Sequence, residues 1–129
     1  MRTMNSKMKC PSESQEQQWV MEWAGMQRGT YPELQLLFHI PNEAKRSYAV
    51  AAKLKSEGMK SGVPDLMLPV PRGKYHGLFI EMKRQKEGRV SDNQKGWIEA
   101  LQQQGYRCEV CKGAEPAVAV IKKYLDKGE

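Results

Sequence analysis

The sequence predicts an α/β domain in which a small mixed sheet of about four strands is flanked by helices. Segments with apolar residues at helical spacing alternate with short apolar runs of strand length. A short turn between the second and third runs fits an antiparallel hairpin, whereas a helical segment between the third and fourth fits a right-handed parallel crossover. The 129 residues are enough for a single core.

Four segments are predicted to be helical. They are residues 12–28, 43–57, 91–104 and a last segment that begins near Pro116. Ser12 with Gln15, or Ser14 with Gln17, offers a capping box for the first helix, and Ser91 is a suitable N-cap for the third. Gly58 and Gly105 are suitable C-terminal stops. The side chains of the second helix that we expect to pack are Tyr48, Ala51, Ala52 and Leu54.

Four segments are predicted to be strands. They are residues 34–40, 65–70, 78–83 and 106–110. The first is apolar enough to suggest a central place in the sheet. In the second, Pro64 favours an extended conformation leading into Asp65.

Lys and Arg exceed Asp and Glu by 21 to 15, giving a net charge of +6, which favours a polyanionic partner such as nucleic acid. No apolar run approaches the roughly 18 residues of a membrane span, so we expect no membrane association. We expect residues 1–11 to form a flexible basic arm and residues 12–129 a single domain.

Three cysteines are present, and Cys108 and Cys111 form a C-x-x-C pair. Two further ligands for zinc are not found at metal-like spacing, and the pair lies at a predicted strand rather than at a helix start. We interpret these residues as reduced, partly buried thiols, which fits a cytoplasmic location.

The residues that indicate chemistry are Asp65, Glu81 and Lys83. Side chains alternate along a strand, so Glu81 and Lys83 project to the same side. If Asp65 opens the antiparallel neighbouring strand, its carboxylate approaches that of Glu81. Such a cluster of acids favours a divalent cation, and these hard oxygen ligands suit Mg²⁺ or Mn²⁺.

Two further polar residues each have two interpretations. Glu16 lies at the edge of the apolar stripe of the first helix, where it serves either a metal site or the helix dipole. Gln94 shares a face with Trp97 and Leu101, and it completes a capping box with Ser91 or holds a water or phosphate oxygen. Periodicity alone does not choose between these interpretations.

These motifs resemble those of the PD-(D/E)xK nuclease superfamily, and specifically its VRR-NUC (virus-type replication-repair nuclease) branch. The residues that carry the resemblance are Gly62-x-Pro64-Asp65, Glu81-x-Lys83, Ser91-x-x-Gln94-x-x-Trp97 and His39-Ile40-Pro41-Asn42-Glu43. The resemblance covers about residues 15–125 and implies a restriction-endonuclease-like core.

The resemblance assigns roles to individual positions. It implies that Glu16, Asp65 and Glu81 are acidic metal ligands and that the carbonyl oxygen of Met82 is a further ligand. Catalytic roles are implied for Asp65, Glu81, Lys83, as the catalytic lysine, and Gln94, as a polar helper.

The resemblance also implies an activity: Mg²⁺- or Mn²⁺-dependent hydrolysis of DNA phosphodiester bonds by an endonuclease. Stand-alone members resemble Holliday-junction resolvases that act as homodimers on four-way junctions in DNA repair, in the cytosol of bacteria or phage-infected hosts. Two alternatives remain, a restriction-like or nicking nuclease with little branch preference and a non-catalytic DNA-binding module. The basic residues expected to contact DNA are Lys45, Arg46, Arg84, Lys86 and Arg89.

Overall fold

The computed structural model describes residues 9–42 and 47–129. Its elements are α1 (Glu13–Met26), a 3₁₀ helix (Pro32–Leu36), β1 (Phe38–His39), α2 (Tyr48–Ser56), β2 (Leu66–Leu68), β3 (Leu78–Lys83), α3 (Asp92–Gln103), β4 (Arg107–Lys112) and α4 (Ala114–Lys127). The four strands form one sheet in the order β1-β2-β3-β4, with β3 and β4 parallel and the other pairs antiparallel. The predicted α/β class, with a mixed four-stranded sheet flanked by helices, is confirmed. Within the described ranges, no helix is both long and apolar enough to cross a bilayer.

Strand β3 lies at the centre of the molecule, and all six of its residues are buried. The side chains of Leu78, Ile80 and Met82 join the main hydrophobic core, to which α1 and α4 also contribute. Glu81 and Lys83 belong to the opposite face of the strand, because side chains alternate. Strand β3 therefore separates an apolar layer from a face that carries buried charges.

The helix-start signals in the sequence are confirmed for three helices. The Ser12 side chain accepts a hydrogen bond from the Gln15 backbone, and Ser91 and Gln94 form a reciprocal capping box. Helix α4 begins slightly earlier than expected, at Ala114, because Pro116 sits within the first turn, where a backbone N–H is not needed.

The prediction of a central first strand at residues 34–40 is wrong. Residues Pro32–Leu36 form a 3₁₀ helix, and β1 is a two-residue edge strand. Leu34 and Leu37 are buried, whereas Leu36 and Phe38 are exposed. Burial three residues apart is the spacing of a 3₁₀ turn, so the apolar run combines one helical turn with an edge strand.

The expected packing of the second helix is also wrong in part. Its N-cap is Ser47 and its first residue Tyr48 is 91% exposed, while only Ala51 and Leu54 are half-buried. Residues 43–46, where the sequence placed the helix start, lie outside the described ranges. Helix α2 has no buried residue and contributes nothing to the main core.

Strand β4 continues to Lys112, so both cysteines of the C-x-x-C pair lie within a strand. Cys108 and Cys111 are free and buried. Burial raises the pKa of the Cys108 thiol to about 11 and that of Cys111 to about 12. The thiols are therefore protonated at neutral pH, as expected of packing residues rather than reactive ones.

Replacing Tyr124 by Phe should lower the free energy of unfolding by about 1–3 kcal/mol. The fully buried Tyr124 hydroxyl donates a 2.5 Å hydrogen bond to the Val70 carbonyl oxygen, which would lose its partner. The matched control is Tyr31→Phe, which removes an exposed hydrogen bond to Asp126 and should change stability less. Urea denaturation of both variants measures the difference, and equal losses would contradict the prediction.

Candidate metal centre

Asp65 and Glu81 lie opposite each other where β2 and β3 pair. Leu66 is paired with Ile80 in an antiparallel register, which places the preceding Asp65 beside Glu81. Asp65 is 7% exposed and Glu81 is 2% exposed. The backbone N–H of Met82 donates a 2.7 Å hydrogen bond to Asp65 Oδ2, so the aspartate is fixed against the strand that carries Glu81.

The edge strand holds the backbone of Asp65 in place. The Ile40 N–H donates a 2.7 Å hydrogen bond to the Asp65 carbonyl oxygen. His39 Nδ1 lies 2.9 Å from the same oxygen. Since a carbonyl oxygen only accepts, the proton is on Nδ1 in this contact. The short strand β1 thus positions the first acid of the cluster.

A third carboxylate comes from the first turn of α1. Glu13, Asp65 and Glu81 each offer a carboxylate oxygen, and these three oxygens lie within 4.8 Å of one another. A cleft of about 330 Å³ opens beside them, lined by Glu13, Asp65 and Met82 among others. Met82 lines this cleft and also belongs to the hydrophobic core.

Glu16, which the sequence suggested as the helix-one ligand, does not lie in this cluster. Its Oε1 accepts a 3.2 Å hydrogen bond from the Ala114 backbone, and its Oε2 accepts a 2.7 Å hydrogen bond from Gln85 Nε2. Glu16 therefore caps the N-terminus of α4, where Gly113 offers no side chain of its own. This capping role explains why Glu16 is buried, with 1% of its surface exposed.

Glu13 is the residue that sequence reasoning missed. It lies three residues before Glu16, so the two carboxylates share one side of α1 about one turn apart. Periodicity identified that side but not which turn meets Asp65. That choice depends on where α1 crosses the end of β3 and the start of α4, which is a tertiary feature.

Lys83 and Gln94 both approach Glu81. Lys83 Nζ lies 3.7 Å from Glu81 Oε2, and the lysine is itself buried. Gln94 Nε2 donates a 3.3 Å hydrogen bond to the same oxygen, while Gln94 Oε1 accepts from the Ser91 backbone. The capping-box interpretation of Gln94 is confirmed, and its amide also contacts an acid of the cluster. Its contact with a water or phosphate oxygen stays a prediction.

The Glu81 carboxyl is electrostatically unusual. Burial, and then the adjacent Asp65 carboxyl, raises the pKa of Glu81 from 4.5 to about 9, although Lys83 opposes the shift. Among the described residues, Glu81 Oε1 is buried without a hydrogen-bond partner. A divalent cation would compensate for both features. It would give the unpartnered Glu81 oxygen a partner, and its charge would favour the ionised form of the acid. The donor set is therefore suited to a hard cation.

The basic residues expected to contact DNA are placed differently. Lys86 and Arg89 are exposed in the segment between β3 and α3, and Arg84 is half-buried with its Nε buried. Lys45 and Arg46 lie outside the described ranges. Lys86 and Arg89 therefore place positive charge close in sequence to Lys83, where a polyanion can reach it.

The fold and this cluster define an α/β domain with a buried acid–lysine centre suited to a divalent cation. The family model for the VRR-NUC domain matches residues 5–115. The chain belongs to the VRR-NUC family, whose members are divalent-metal-dependent nucleases of the PD-(D/E)xK type, with DNA as substrate. The resemblance inferred from the sequence is thus confirmed.

Comparison with solved structures agrees with this assignment. A structure described as a VRR_NUC domain protein is 34% identical, with 92% of each chain covered and a TM-score of 0.79. A second, described as a VRR_NUC domain, is 22% identical, with 87% of this chain and 96% of that chain covered and a TM-score of 0.53, and it supports the fold alone. A search of curated proteins gave no match.

Without metal, stability should fall as pH rises from about 6 to 8. Glu81 has a raised pKa in the folded state, so the folded protein holds a proton that the unfolded chain has released in this range. The free energy of unfolding then decreases by up to about 1.4 kcal/mol per pH unit. The stabilising contribution is complete below the unfolded pKa and is lost as pH passes the folded pKa.

The measurement is urea denaturation in EDTA at several pH values, with Glu81→Gln as the matched variant. Glutamine cannot titrate, so its stability should change less with pH than that of the wild type. Identical slopes for the two proteins would contradict the assignment of this titration to Glu81.

Proposed function

We propose that this chain is a Mg²⁺- or Mn²⁺-dependent endonuclease that hydrolyses DNA phosphodiester bonds. The observation that carries the proposal is the convergence of Glu13, Asp65 and Glu81, with oxygens within 4.8 Å, beside a buried lysine. Clustered acids repel the phosphates of DNA, so a module that only bound DNA would gain nothing from them. This favours catalysis over a non-catalytic binding role.

The metal ligands in this proposal are the carboxylates of Glu13, Asp65 and Glu81, with the Met82 carbonyl oxygen as a further ligand. Glu13 replaces Glu16 because Glu16 is already occupied by Gln85 and the α4 N-terminus. The cation supplies Lewis-acid activation of water and of the scissile phosphate. Asp65 is preorganised for the task, since the Met82 N–H and β1 both hold it.

Lys83 provides the positive charge of the site. Its ammonium lies on the same face as Glu81 and is excluded from bulk water, where its interaction with developing negative charge is strong. In our proposal it stabilises the charge on the phosphate oxygens and orients the attacking water. Gln94 is a positioning residue, because its contact is with Glu81 Oε2 rather than with the cleft.

Saturating Mn²⁺ should raise the melting temperature of the wild-type protein, because the metal binds the acid cluster of the folded state and not the unfolded chain. At 100 times the dissociation constant the gain is about 2.7 kcal/mol. Glu13→Gln should lose most of this shift and most of the DNA cleavage. Glu16→Gln, the matched control one turn away, should melt at a lower temperature in all buffers but keep the Mn²⁺ shift.

Differential scanning fluorimetry with and without Mn²⁺ measures these shifts, and cleavage of a labelled oligonucleotide measures activity. If Glu16→Gln loses the Mn²⁺ shift while Glu13→Gln keeps it, the ligand assignment is wrong. Normal cleavage by Asp65→Asn or Lys83→Ala would remove the proposed catalytic roles altogether.

We further propose that the enzyme selects branched DNA and acts as a homodimer in DNA repair, in the manner of a Holliday-junction resolvase. Symmetric cleavage of two opposed strands requires two active sites in register, which a two-fold dimer provides. The family relationship supports a nuclease acting on DNA, and we propose a bacterial or phage-infected cytoplasm as its location.

A direct comparison tests this selectivity. With Mn²⁺, a labelled four-way junction should be cut at least about tenfold faster than a linear duplex of the same sequence, a difference of about 1.4 kcal/mol in the barrier. Light scattering of the same preparation should give the mass of a dimer. Equal rates on both substrates would instead identify a restriction-like or nicking nuclease.

A further inference from the structure

A second cavity, of about 550 Å³, lies between α1, the N-terminus of α4 and the C-terminal end of the parallel pair β3 and β4. Its volume falls in the range of roughly 300–1,000 Å³ typical of small-ligand pockets. We call it the Trp19 pocket; its lining includes Glu16, Trp19, Gln85, Lys112, Gly113 and Pro116. Glu16, Gln85 and Gly113 also take part in the cap of α4 described above, whereas Trp19, Lys112 and Pro116 do not belong to the metal cluster.

The Trp19 pocket is continuous with the catalytic strand. The Gly113 N–H donates a 3.1 Å hydrogen bond to the carbonyl oxygen of Lys83, so one wall of the pocket is attached to the catalytic lysine. On the other side, Glu16 in the pocket and Glu13 in the metal cluster lie about one turn apart on α1. A nucleotide next to a phosphate at the metal centre is therefore within reach of the pocket.

Trp19 and Trp23 lie one turn apart on α1 and have different surroundings. Trp23 packs against the main core, whereas Trp19 is half-buried and lines the cavity. Aromatic side chains next to nucleic-acid sites commonly stack on bases that have left the helix.

The charges of the pocket favour an uncharged ring over a phosphate. The helix N-terminus that would otherwise attract an anion is already capped by the Glu16 carboxylate, and Glu115 also lines the cavity. Lys112 at the strand end is exposed and suited to a neighbouring backbone phosphate. The ligand that fits is a base inside the pocket with its phosphates outside.

Gln85 has the hydrogen-bonding groups to contact such a base. Its Nε2 donates to Glu16 Oε2 at 2.7 Å, which fixes the amide orientation because an oxygen in that place would face a carboxylate. The Gln85 Oε1 and the second N–H then form an acceptor–donor edge of the kind that pairs with base edges.

We propose that the Trp19 pocket binds an unpaired nucleobase of the DNA strand being cut, from a nucleotide adjacent to the scissile phosphate. Trp19 stacks on the base and Gln85 contacts its edge. The inference rests on the proposed nuclease function. It adds an unpaired base beside the cut to the features by which the site recognises its DNA.

The first test measures base stacking independently of cleavage. Single-stranded oligonucleotides containing one fluorescent 2-aminopurine are titrated with protein in Ca²⁺, which takes similar oxygen ligands. The wild type and Trp19→Phe should quench the fluorescence, and Trp19→Ala should not. Tyr48→Ala, which removes an exposed aromatic residue of α2, should quench as the wild type does. Quenching by Trp19→Ala equal to that of the wild type would overturn the proposal.

The second test uses cleavage in Mn²⁺. An abasic nucleotide is moved through the positions around the mapped cut. At one position adjacent to the cut, the abasic nucleotide should slow cleavage by the wild type about tenfold. On intact DNA, Trp19→Ala should already cleave more slowly than the wild type by a similar factor. The abasic nucleotide should not slow this variant further. Equal sensitivity of both proteins at every position would overturn the proposal. Failure of the wild type to cut any DNA would contradict the nuclease function, and the fluorescence test would then decide the pocket alone.

Discussion

The structure depends on the burial of two opposed carboxyl groups, Asp65 and Glu81, at the end of a fully buried strand. Such a pair is unfavourable when both groups are ionised. Burial and the neighbouring Asp65 carboxyl therefore raise the pKa of Glu81 to about 9. Three compensations are present: the Met82 N–H for Asp65, the Lys83 ammonium for Glu81, and the Gln94 amide. One oxygen of Glu81 is left without a partner among the described residues, and that oxygen is the structural reason to expect a cation.

Strand β1 and helix α1 position the acidic residues around this pair. The edge strand β1 is only two residues long, yet its neighbouring residue Ile40 fixes the Asp65 carbonyl. Helix α1 contributes Glu13 to the metal cluster and, one turn later, Glu16 to the cap of α4. In our proposal the two acids have separate roles: Glu13 is a metal ligand, and Glu16 joins α1 to α4. This division makes Glu13 and Glu16 a matched pair for separating activity from stability.

The features that the sequence predicted correctly depend on residues close together in the chain, whereas those it missed depend on tertiary packing. The boundaries of β3, the side shared by Glu81 and Lys83, and the approach of Asp65 depend on strand alternation and a hairpin, which are local. The family resemblance implied Glu16 as the ligand from α1, and periodicity could not point to Glu13, because it defines a helix face but not the place where the helix crosses the sheet. The apolar run at residues 34–40 predicted a central strand, because such a run does not distinguish a 3₁₀ turn from a strand. Helical spacing predicted that Tyr48 packs, although Tyr48 is 91% exposed.

The central claim is that three acids distant in sequence hold one divalent cation. Crystals soaked in Mn²⁺ and measured at a wavelength where manganese scatters anomalously test it most directly. The account predicts one strong anomalous peak within coordination distance of Glu13, Asp65 and Glu81. A peak beside Glu16 without contact to Glu13, or no peak at Asp65 and Glu81 in metal-saturated crystals, would contradict it.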